Sequence, residues 1–476
     1  MLSRVRASSK PGAVHNGAGH RTLHNRVTPT PGQLEFLRIQ WNALADHLKL
    51  QLSSKYGYTV SSWLQGSYKY GTLIRPVNLG EEYDVDVGIY FSWVPDGSAA
   101  PAPEQLREWV QRELDNYKKI CADVKEISKP PKERCSRAIF SNHFHIDTPV
   151  YHLNPSNDKR RLACLSRTWE ESDPKAIYKW FRAAARGEER EQLRRLIRYL
   201  KGWAAVAFKE SPGSRPSSIL LTVLVTQAYQ DMWLVRLGDL DDEDALIQVI
   251  KRIHGRLYRS SVVPNPVDDG ENLNRINEEN WPSFLTSLHA LCLTAENAED
   301  AADEITAALA WSEPFSYLFP LPDALEVEIV DLKSEQAVMQ LPEIEIEVFG
   351  NTPKQPLKRY RNEVTSVAKG CDLIFTIANP HVIPEYATVE WTVRNDGEES
   401  DSLGDIGHRT MGTRMLKTKE RATYQGRHYM DCVIRLFGQI YSVRRVPVHV
   451  KDIRYPDRNP PKPAYTKIKS FWRRRR

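Results

Sequence analysis

Two aspartates separated by one residue, Asp84 and Asp86, are the residues of this sequence best suited to chemistry. Apolar residues alternate with them at Val85, Val87 and Ile89, and this alternation predicts a β-strand with both carboxylates on one face. Two like charges on one strand face repel each other unless a cation lies between them. Mg²⁺ is the ion that carboxylates and phosphate oxygens usually hold together. The pair therefore predicts a magnesium site.

A third carboxylate is expected from a neighbouring strand, and Asp147 supplies it. Over Phe144–Val150 the alternation places Phe144, Ile146 and Thr148 on one face and His145 and Asp147 on the other. The second metal-binding strand is predicted over Arg137–Asp147. Two metal ions about 3.5–4 Å apart would then be bridged and flanked by the three aspartates. The nearby His143, His145 and His152 are interpreted as ordinary strand and loop histidines.

A glycine–serine turn precedes the aspartates. Gly66 and Ser67 offer backbone N–H groups, a hydroxyl and room for a phosphate to approach closely. A phosphate-binding turn that leads into a metal-binding strand is typical of nucleotidyl-transfer sites. An isolated Asp-x-Asp is more often a solvated strand face, but the turn, the Asp pair and the later Asp147 together form a far more specific pattern.

The composition fits a multi-domain protein. With 476 residues, the chain is long enough for two to four domains with proper cores. The net charge of +5 and the pI of about 8.7 suit nucleotide or nucleic-acid partners. Six cysteines occur without any Cys-x-x-Cys, which indicates neither a disulfide framework nor a zinc site and fits a reducing cytoplasm. No apolar run approaches the roughly 20 residues of a membrane span.

Helical periodicity dominates the chain up to about residue 310. Apolar spacing predicts helices over Pro31–Leu52, Glu104–Lys119, Glu188–Phe208 and Ile219–Met232. Beyond a proline-containing junction the period changes to two, and four strands are predicted at Cys371–Ala378, Ala387–Val393, Tyr429–Leu436 and Ile440–Val450. The C-terminal part is therefore predicted to be a small all-β unit, a sandwich.

The motifs resemble a known family. From about residue 30 to about residue 320, the chain resembles the bacterial cGAS/DncV-like nucleotidyltransferases, or CD-NTases. The matching motifs are Gly66-Ser67-x-x-x-Gly71-Thr72-Leu73-Ile74-x-Pro76-Val77, Asp84-Val85-Asp86-x-Gly88-x-Tyr90 and His145-Ile146-Asp147. The segments Glu390–Gly397, Tyr424–His428 and Val446–Val450 resemble the C-terminal sensor domain (AGS-C) found beside such nucleotidyltransferases.

The resemblance implies an α+β fold. A polymerase β-like catalytic sheet with a helical second lobe is expected, followed by the small β-sandwich. The implied boundaries are a disordered leader at 1–29, a catalytic core with an N-terminal brace helix at 30–170, a helical lobe at 171–320, a linker at 321–345, a β-rich sensor domain at 346–455 and a basic tail at 456–476.

The resemblance also implies a set of nucleotide-binding residues. Lys201 matches the lysine that holds the donor triphosphate, although a lysine on an amphipathic helix is usually a surface residue. A serine at a helix start is expected to bind phosphate, and Ser217 and Ser218 both fit. Asp268 or Asp269 would lie in a loop that closes over the base, where a plain Pro/Asp turn is the competing interpretation. Gln65, Gly66, Ser67 and Tyr70 are expected beside the nucleotide.

The implied function is Mg²⁺-dependent synthesis of a cyclic di- or oligonucleotide from NTPs, with ATP or GTP favoured and two Mg²⁺ ions as cofactors. Asp84, Asp86 and Asp147 would be the catalytic metal ligands. The family acts in the bacterial cytoplasm in anti-phage (CBASS) signalling, where a separate effector detects the product, and no membrane partner is expected. A nucleotide-like ligand is implied for the sensor domain. The alternatives are a catalytically silent nucleotide sensor and an enzyme that makes linear oligonucleotides or extends RNA.

Overall fold

The computed structural model describes residues 22–95, 100–141, 143–233, 240–302, 304–321, 326–328, 341–350 and 355–452. The chain divides into two compact units, the first formed by residues 1–323 with 401–408 and the second by 324–400 with 409–476. The predicted basic tail, most of the predicted leader and most of the predicted linker lie outside the described residues. The predicted domain boundaries stay predictions, although residues 401–408 lie in the first unit.

The first unit is built on a seven-stranded sheet. Its strands are β1 (Thr59–Gln65), β2 (Tyr83–Ser92), β3 (Val124–Ile127), β4 (Cys135–Phe140), β5 (Phe144–Asn154), β6 (Lys159–Ala163) and β7 (Trp169–Glu171). The central order is β1-β2-β5-β4-β3, and β6 and β7 extend the sheet from β5. The pair β2 and β5 is parallel, whereas the other described pairs of this sheet are antiparallel.

The predicted single strand over Arg137–Asp147 is wrong. The segment is a hairpin in which β4 pairs antiparallel with β5, so that Arg137 lies directly opposite Asp147. The chain reverses near His143, whose φ of 55° is a left-handed conformation of the kind turns use. The polar residues Ser141-Asn142-His143 interrupt the apolar alternation between the two arms, and the sequence prediction did not interpret this break as a turn.

One face of this sheet is covered by two helices, α2 (Pro31–Tyr56) and α4 (Pro103–Ile120). Val85, Val87 and Ile89 point into this core and are almost fully buried, which confirms the predicted alternation. The remaining N-terminal helices of the first unit are α1 (Leu23–Val27) and α3 (Gly66–Tyr70). Because α1 is helical, with Leu23 and Val27 buried, the predicted disorder does not extend over all of residues 1–29.

The helical lobe follows the sheet within the first unit. Its helices are α5 (Pro174–Ala184), α6 (Gly187–Ala207), α7 (Ser218–Asp231), α8 (Asp242–Leu257), α9 (Trp281–Glu299) and α10 (Glu304–Phe315). Asp173 begins α5 by accepting from the backbone N–H groups of Lys175 and Ala176. The predicted loop at 263–272 is instead a short hairpin of β8 (Pro264–Asn265) and β9 (Asp268–Asn272).

The second unit is β-rich. The strands of its sheets are β10 (Glu326–Glu328), β11 (Ile344–Phe349), β12 (Lys358–Arg361), β13 (Val364–Ala368), β14 (Asp372–Ile377), β15 (Thr388–Arg394), β16 (Gly407–Thr413), β17 (Lys417–Arg421), β18 (Gly426–Leu436) and β19 (Gln439–Lys451). The short helix α11 (Glu398–Ser402) and the strand β16 each cross a limit of residues 401–408, which belong to the first unit. They form a six-stranded and a four-stranded sheet, and residues of both sheets share one apolar core that includes Phe375 and Trp391. The α+β fold class predicted from the sequence is confirmed.

Two further features are the apolar character of the helices and the state of the cysteines. In the residues described above, no helix combines the length and the apolar character needed to cross a bilayer. All six cysteines are free thiols.

Candidate active site

The acidic cluster lies where β2 and β5 run side by side. Asp84 is opposite His145, and Asp86 is opposite Asp147 in the parallel register. Ligand atoms of Asp84, His145 and Asp147 all lie within 4.8 Å of one another. The three aspartates, although far apart in sequence, therefore meet on one face because both strands turn their apolar residues to the opposite side.

Asp147 is held by basic neighbours. The Arg137 guanidinium donates to both of its oxygens, at 2.5 Å from Nε to Oδ1 and 2.8 Å from Nη2 to Oδ2. Lys132 Nζ and the Cys135 thiol also lie 3.2 Å and 3.3 Å from Oδ2. Burial alone would raise the pKa of Asp147, but Arg137 and Lys132 outweigh it and lower that pKa below its ordinary value. Asp147 is therefore ionised in the folded protein.

Asp86 is in the opposite situation. Burial, together with the negative charges of Asp84 and Asp147, raises the pKa of Asp86 well above its ordinary value of 3.8. The positive charges of Arg137 and Lys132 offset this only in part. A divalent cation would relieve the repulsion, and carboxylates are the ligands that hard divalent cations prefer. The acidic cluster thus fits a divalent metal.

His145 belongs to the same cluster, although the sequence prediction assigned it no role. Its Nδ1 lies 2.9 Å from Glu82 Oε2 in a hydrogen bond. Its Nε2 lies 2.9 Å from Asp84 Oδ1, which is ion-pair distance. That nitrogen is nevertheless buried without a properly aligned hydrogen-bond partner. The signal available in the sequence was the position of His145 two residues before Asp147 on the same strand face.

Gly66 lies against the acidic cluster. Its φ is +60°, and a Cβ at this position would stand 2.0 Å from Asp86 Oδ2. Only glycine therefore permits both the left-handed backbone and the close approach of α3 to β2. The turn is held by the backbone hydrogen bond from Thr72 N–H to Ser67 O at 2.9 Å.

A cavity of about 710 Å³ opens beside these residues. Predicted site residues that line it are Gly66, Ser67, Tyr70, Asp84, Asp86, Lys201, Ser217 and Ser218. Basic residues that line it and that the sequence prediction did not include in its site are Arg75, Arg137, Arg215 and Arg275. The cavity therefore joins an acidic end to walls that carry positive charge, as a triphosphate with its metal ions requires.

Lys201 lies in α6 and is buried. Its ammonium donates to the backbone oxygen of Thr72 at 3.2 Å and to the Thr72 hydroxyl at 3.3 Å. Burial, and then the charge of Arg198, lowers the pKa of Lys201 to about 7. The interpretation of Lys201 as a surface lysine is therefore wrong, because its side chain points into the interior and lines the cavity.

The two candidate serines have different positions. Ser217 is the N-cap of α7, and its hydroxyl accepts from the backbone N–H of Leu220 at 3.3 Å. Ser218 is the first residue of the helix. Both line the cavity, so the structure does not favour one over the other by position.

Three predicted nucleotide-binding residues lie away from the cavity lining. Gln65 is buried beneath the site, where its side-chain amide donates to Tyr90 Oη at 2.8 Å and its carbonyl accepts from Tyr151 Oη at 3.2 Å. Asp268 and Asp269 lie exposed on β9, and Asp268 Oδ1 accepts from Gly270 N–H at 3.2 Å. The structure thus gives Gln65 a supporting position and does not bring Asp268 or Asp269 to the acidic cluster.

Comparison with known proteins agrees with this geometry. Residues 60–151 match a family model described as "Cyclic GMP-AMP synthase DncV-like, nucleotidyltransferase domain". Residues 328–451 match the "Adenylyl/Guanylyl and SMODS C-terminal sensor domain". The chain therefore carries a DncV-like nucleotidyltransferase domain and an AGS-C domain.

Individual relatives extend the likeness along the chain. A protein of Escherichia albertii named "Cyclic GMP-AMP synthase" is 27% identical over 95% of this chain and 96% of its own length. A "c-di-GMP synthase" of Roseivirga ehrenbergii is 25% identical over 49% of this chain and 67% of its own. The crystal structure of Vibrio cholerae DncV with nonhydrolyzable GTP shares the fold, with a TM-score of 0.51, 19% identity, and coverage of 64% of this chain and 96% of that chain.

Proposed function

We propose that this nucleotidyltransferase joins NTPs into a cyclic di- or oligonucleotide and releases pyrophosphate. The observation that supports the proposal is a cavity lined by Asp84, Asp86, Gly66, Ser67 and Lys201. An acidic end for metal ions and a cationic wall for a triphosphate are the two parts that nucleotidyl transfer needs. The relatives named as cyclic GMP-AMP and c-di-GMP synthases support the cyclic product.

The chemistry is displacement at phosphorus. A ribose hydroxyl of one nucleotide loses its proton and bonds to the α-phosphorus of an NTP, while the bond from that phosphorus to the bridging oxygen of pyrophosphate breaks. A second such step within the linear product closes the ring. Asp84, Asp86 and Asp147 would hold two Mg²⁺ ions, which supply charge stabilisation for the attacking and leaving oxygens.

The chain's own residues position the donor. Gly66 and Ser67 offer N–H groups and a hydroxyl where the triphosphate passes α3. The Lys201 ammonium binds the phosphates as a point charge, and Ser217 or Ser218 adds a contact at the start of α7. Tyr70 lines the same cavity and provides a ring surface for the nucleotide. Asp147 favours deprotonation of the attacking hydroxyl.

Substrates and context follow the relatives. Structures of Vibrio cholerae DncV contain GTP, or ATP and GTP together, and these are the proposed substrates here. The proposed setting is the bacterial cytoplasm, where the product would be read by a separate effector in anti-phage defence. A nucleotide-like ligand of the AGS-C domain is proposed as a regulator of the synthase.

The test is product analysis from each labelled NTP with Mg²⁺. We expect pyrophosphate release and a product that resists phosphatase, because a ring has no terminal phosphate. A phosphatase-sensitive product would indicate linear synthesis instead. Binding of NTPs without turnover would indicate a silent nucleotide sensor.

A further inference from the structure

His145 brings an imidazole nitrogen to the three aspartates. The side chain of His145 is 9% exposed, and its Nε2 is buried and lacks an aligned hydrogen bond. Nε2 lies 2.9 Å from Asp84 Oδ1, an oxygen of the acidic cluster. A buried nitrogen without a partner, aimed at a carboxylate, needs either a proton or a cation to be stable there.

Glu82 fixes which ring nitrogen carries the proton. An ionised carboxylate only accepts hydrogen bonds, so the contact of 2.9 Å between Glu82 Oε2 and His145 Nδ1 places a proton on Nδ1. In the neutral ring the lone pair is then on Nε2. A carboxylate that accepts from one imidazole nitrogen while the other binds metal is a recurrent arrangement in metal sites. Glu82 and His145 provide the carboxylate and the hydrogen-bonded imidazole of this arrangement.

The distances fit a shared ion. Two ligands bonded to one cation at about 2.1 Å lie roughly 3 Å apart at the right angles of octahedral coordination, and roughly 3.4 Å apart at the tetrahedral angle typical of Zn²⁺. The distance of 2.9 Å between Nε2 of His145 and Oδ1 of Asp84 agrees with the octahedral value. Asp147 completes the set within 4.8 Å. Oδ2 of Asp147 accepts from Arg137, Lys132 and Cys135. Oδ1 accepts from Arg137 alone and keeps a lone pair for an ion.

We propose that Asp84, His145 and Asp147 form a site for a late first-row divalent cation such as Co²⁺ or Zn²⁺, with His145 Nε2 as a direct ligand. Mg²⁺ binds through oxygen, whereas imidazole favours the later ions of the series. The site therefore discriminates among divalent cations through its nitrogen. This site shares the carboxylates of Asp84 and Asp147 with the proposed Mg²⁺ site, so a late ion bound to it competes with Mg²⁺. In this respect the proposal rests on the proposed function.

The test is Co²⁺ binding to the full chain, followed by visible absorption. We expect wild-type protein to bind Co²⁺ and His145→Ala to bind it at least about 10-fold more weakly, while the affinity for Mg²⁺, measured by competition, changes less than about 3-fold. Glu82→Gln should also weaken Co²⁺ binding by about 10-fold, because the glutamine no longer fixes the tautomer. His143→Asn is the matched control, since His143 is exposed and asparagine tolerates its positive φ.

A direct signature needs no variant. Proton NMR of the Co²⁺-loaded wild-type protein should show one strongly shifted exchangeable resonance from the Nδ1–H of a coordinated imidazole. Its absence, or equal Co²⁺ affinity of wild type and His145→Ala, would overturn the proposal. Failure of the proposed function is separable, because a protein that shows this resonance but never releases pyrophosphate would retain the cation site and lose the synthase assignment.

Discussion

Asp86 in the first unit and Asp431 in the second unit are both aspartates among other charges, yet their environments are opposite. Asp431 is fully buried and pairs with Arg394 Nε at 2.6 Å and with Arg445 Nε at 2.8 Å. Burial would raise the pKa of Asp431, but the two arginines lower it below the ordinary 3.8. For Asp86, neighbouring carboxylates add to the effect of burial and the pKa is raised.

The comparison separates a carboxylate that the protein's own arginines neutralise from one whose neighbours are mainly other carboxylates. In the β-rich unit, the protein supplies the positive charge itself and the cluster is complete. In the catalytic unit, the charge of Asp86 is left for a cation from solution to balance. Removing the carboxylate should therefore damage stability in one place and chemistry in the other.

The largest effect on stability is expected from Asp431→Asn. The change leaves two buried arginines without their carboxylate and should cost about 3–5 kcal/mol in the free energy of unfolding, measured by denaturant titration. Asp372→Asn is the control, because Asp372 pairs with the exposed Lys419 and should cost less than about 1 kcal/mol. Equal destabilisation by the two changes would contradict the distinction.

Asp431 also gives a pH dependence with a defined sign. Because its folded pKa lies below the unfolded value, its contribution to stability is fully present above about pH 4 and is lost as the pH falls through the lower folded pKa. The stability difference between wild type and Asp431→Asn should therefore shrink only in acid below the unfolded pKa.

Gly66→Ala should abolish most activity while the protein stays folded. The new Cβ would collide with Asp86 Oδ2, and displacing a metal ligand by an ångström should reduce pyrophosphate release by at least about 100-fold. Gly57→Ala has a similar φ of +75° but open space around the Cβ, so it reports the backbone strain alone. If both variants lost activity equally, contact with Asp86 would not be the cause.

Lys201→Met should raise the KM for NTP by about 10- to 100-fold, because a charge-assisted contact to phosphate is lost. In wild type the free Lys201 has a pKa of about 7, and NTP binding by its charged form should weaken as the pH rises above 7. Arg198, Asp84 and Asp86 are the charged groups that act on it. Lys201→Met should lose this pH dependence of NTP binding. Lys209→Met, at an exposed position, should keep both the wild-type KM and the wild-type pH dependence.

The sequence predicted the parts of the site that depend on local pattern and motif. The alternation around Asp84 and Asp86 placed both acids on one face, and the matching motifs indicated Lys201 and the two serines. Contacts that require the turn of a hairpin were missed, because the polar break Ser141-Asn142-His143 was not interpreted as a turn. The pairing of Arg137 with Asp147 is of this kind. The place of His145 in the acidic cluster needed no turn, because His145 and Asp147 lie on one face of the same strand.

Gln65 and the hairpin aspartates show a second limit. Gln65 pairs with Asp86 across β1 and β2. Its side-chain amide is hydrogen-bonded to Tyr90 and Tyr151, which are distant in sequence. Asp268 and Asp269 lie on a hairpin that a local pattern of prolines and aspartates suggested to be a loop. Motif position alone gave these residues a role, whereas tertiary packing decides which side chains reach the cavity.

We infer that a bound cation balances the negative charge of Asp86 and that the reaction needs this charge. The most direct test is pyrophosphate release from NTPs and Mg²⁺ by Asp86→Asn, with melting of both proteins measured in metal-free buffer. We expect release to fall by several orders of magnitude, while the melting temperature stays equal or rises, since the ionised Asp86 destabilises the fold above its raised pKa. Wild-type release by the variant would contradict the account.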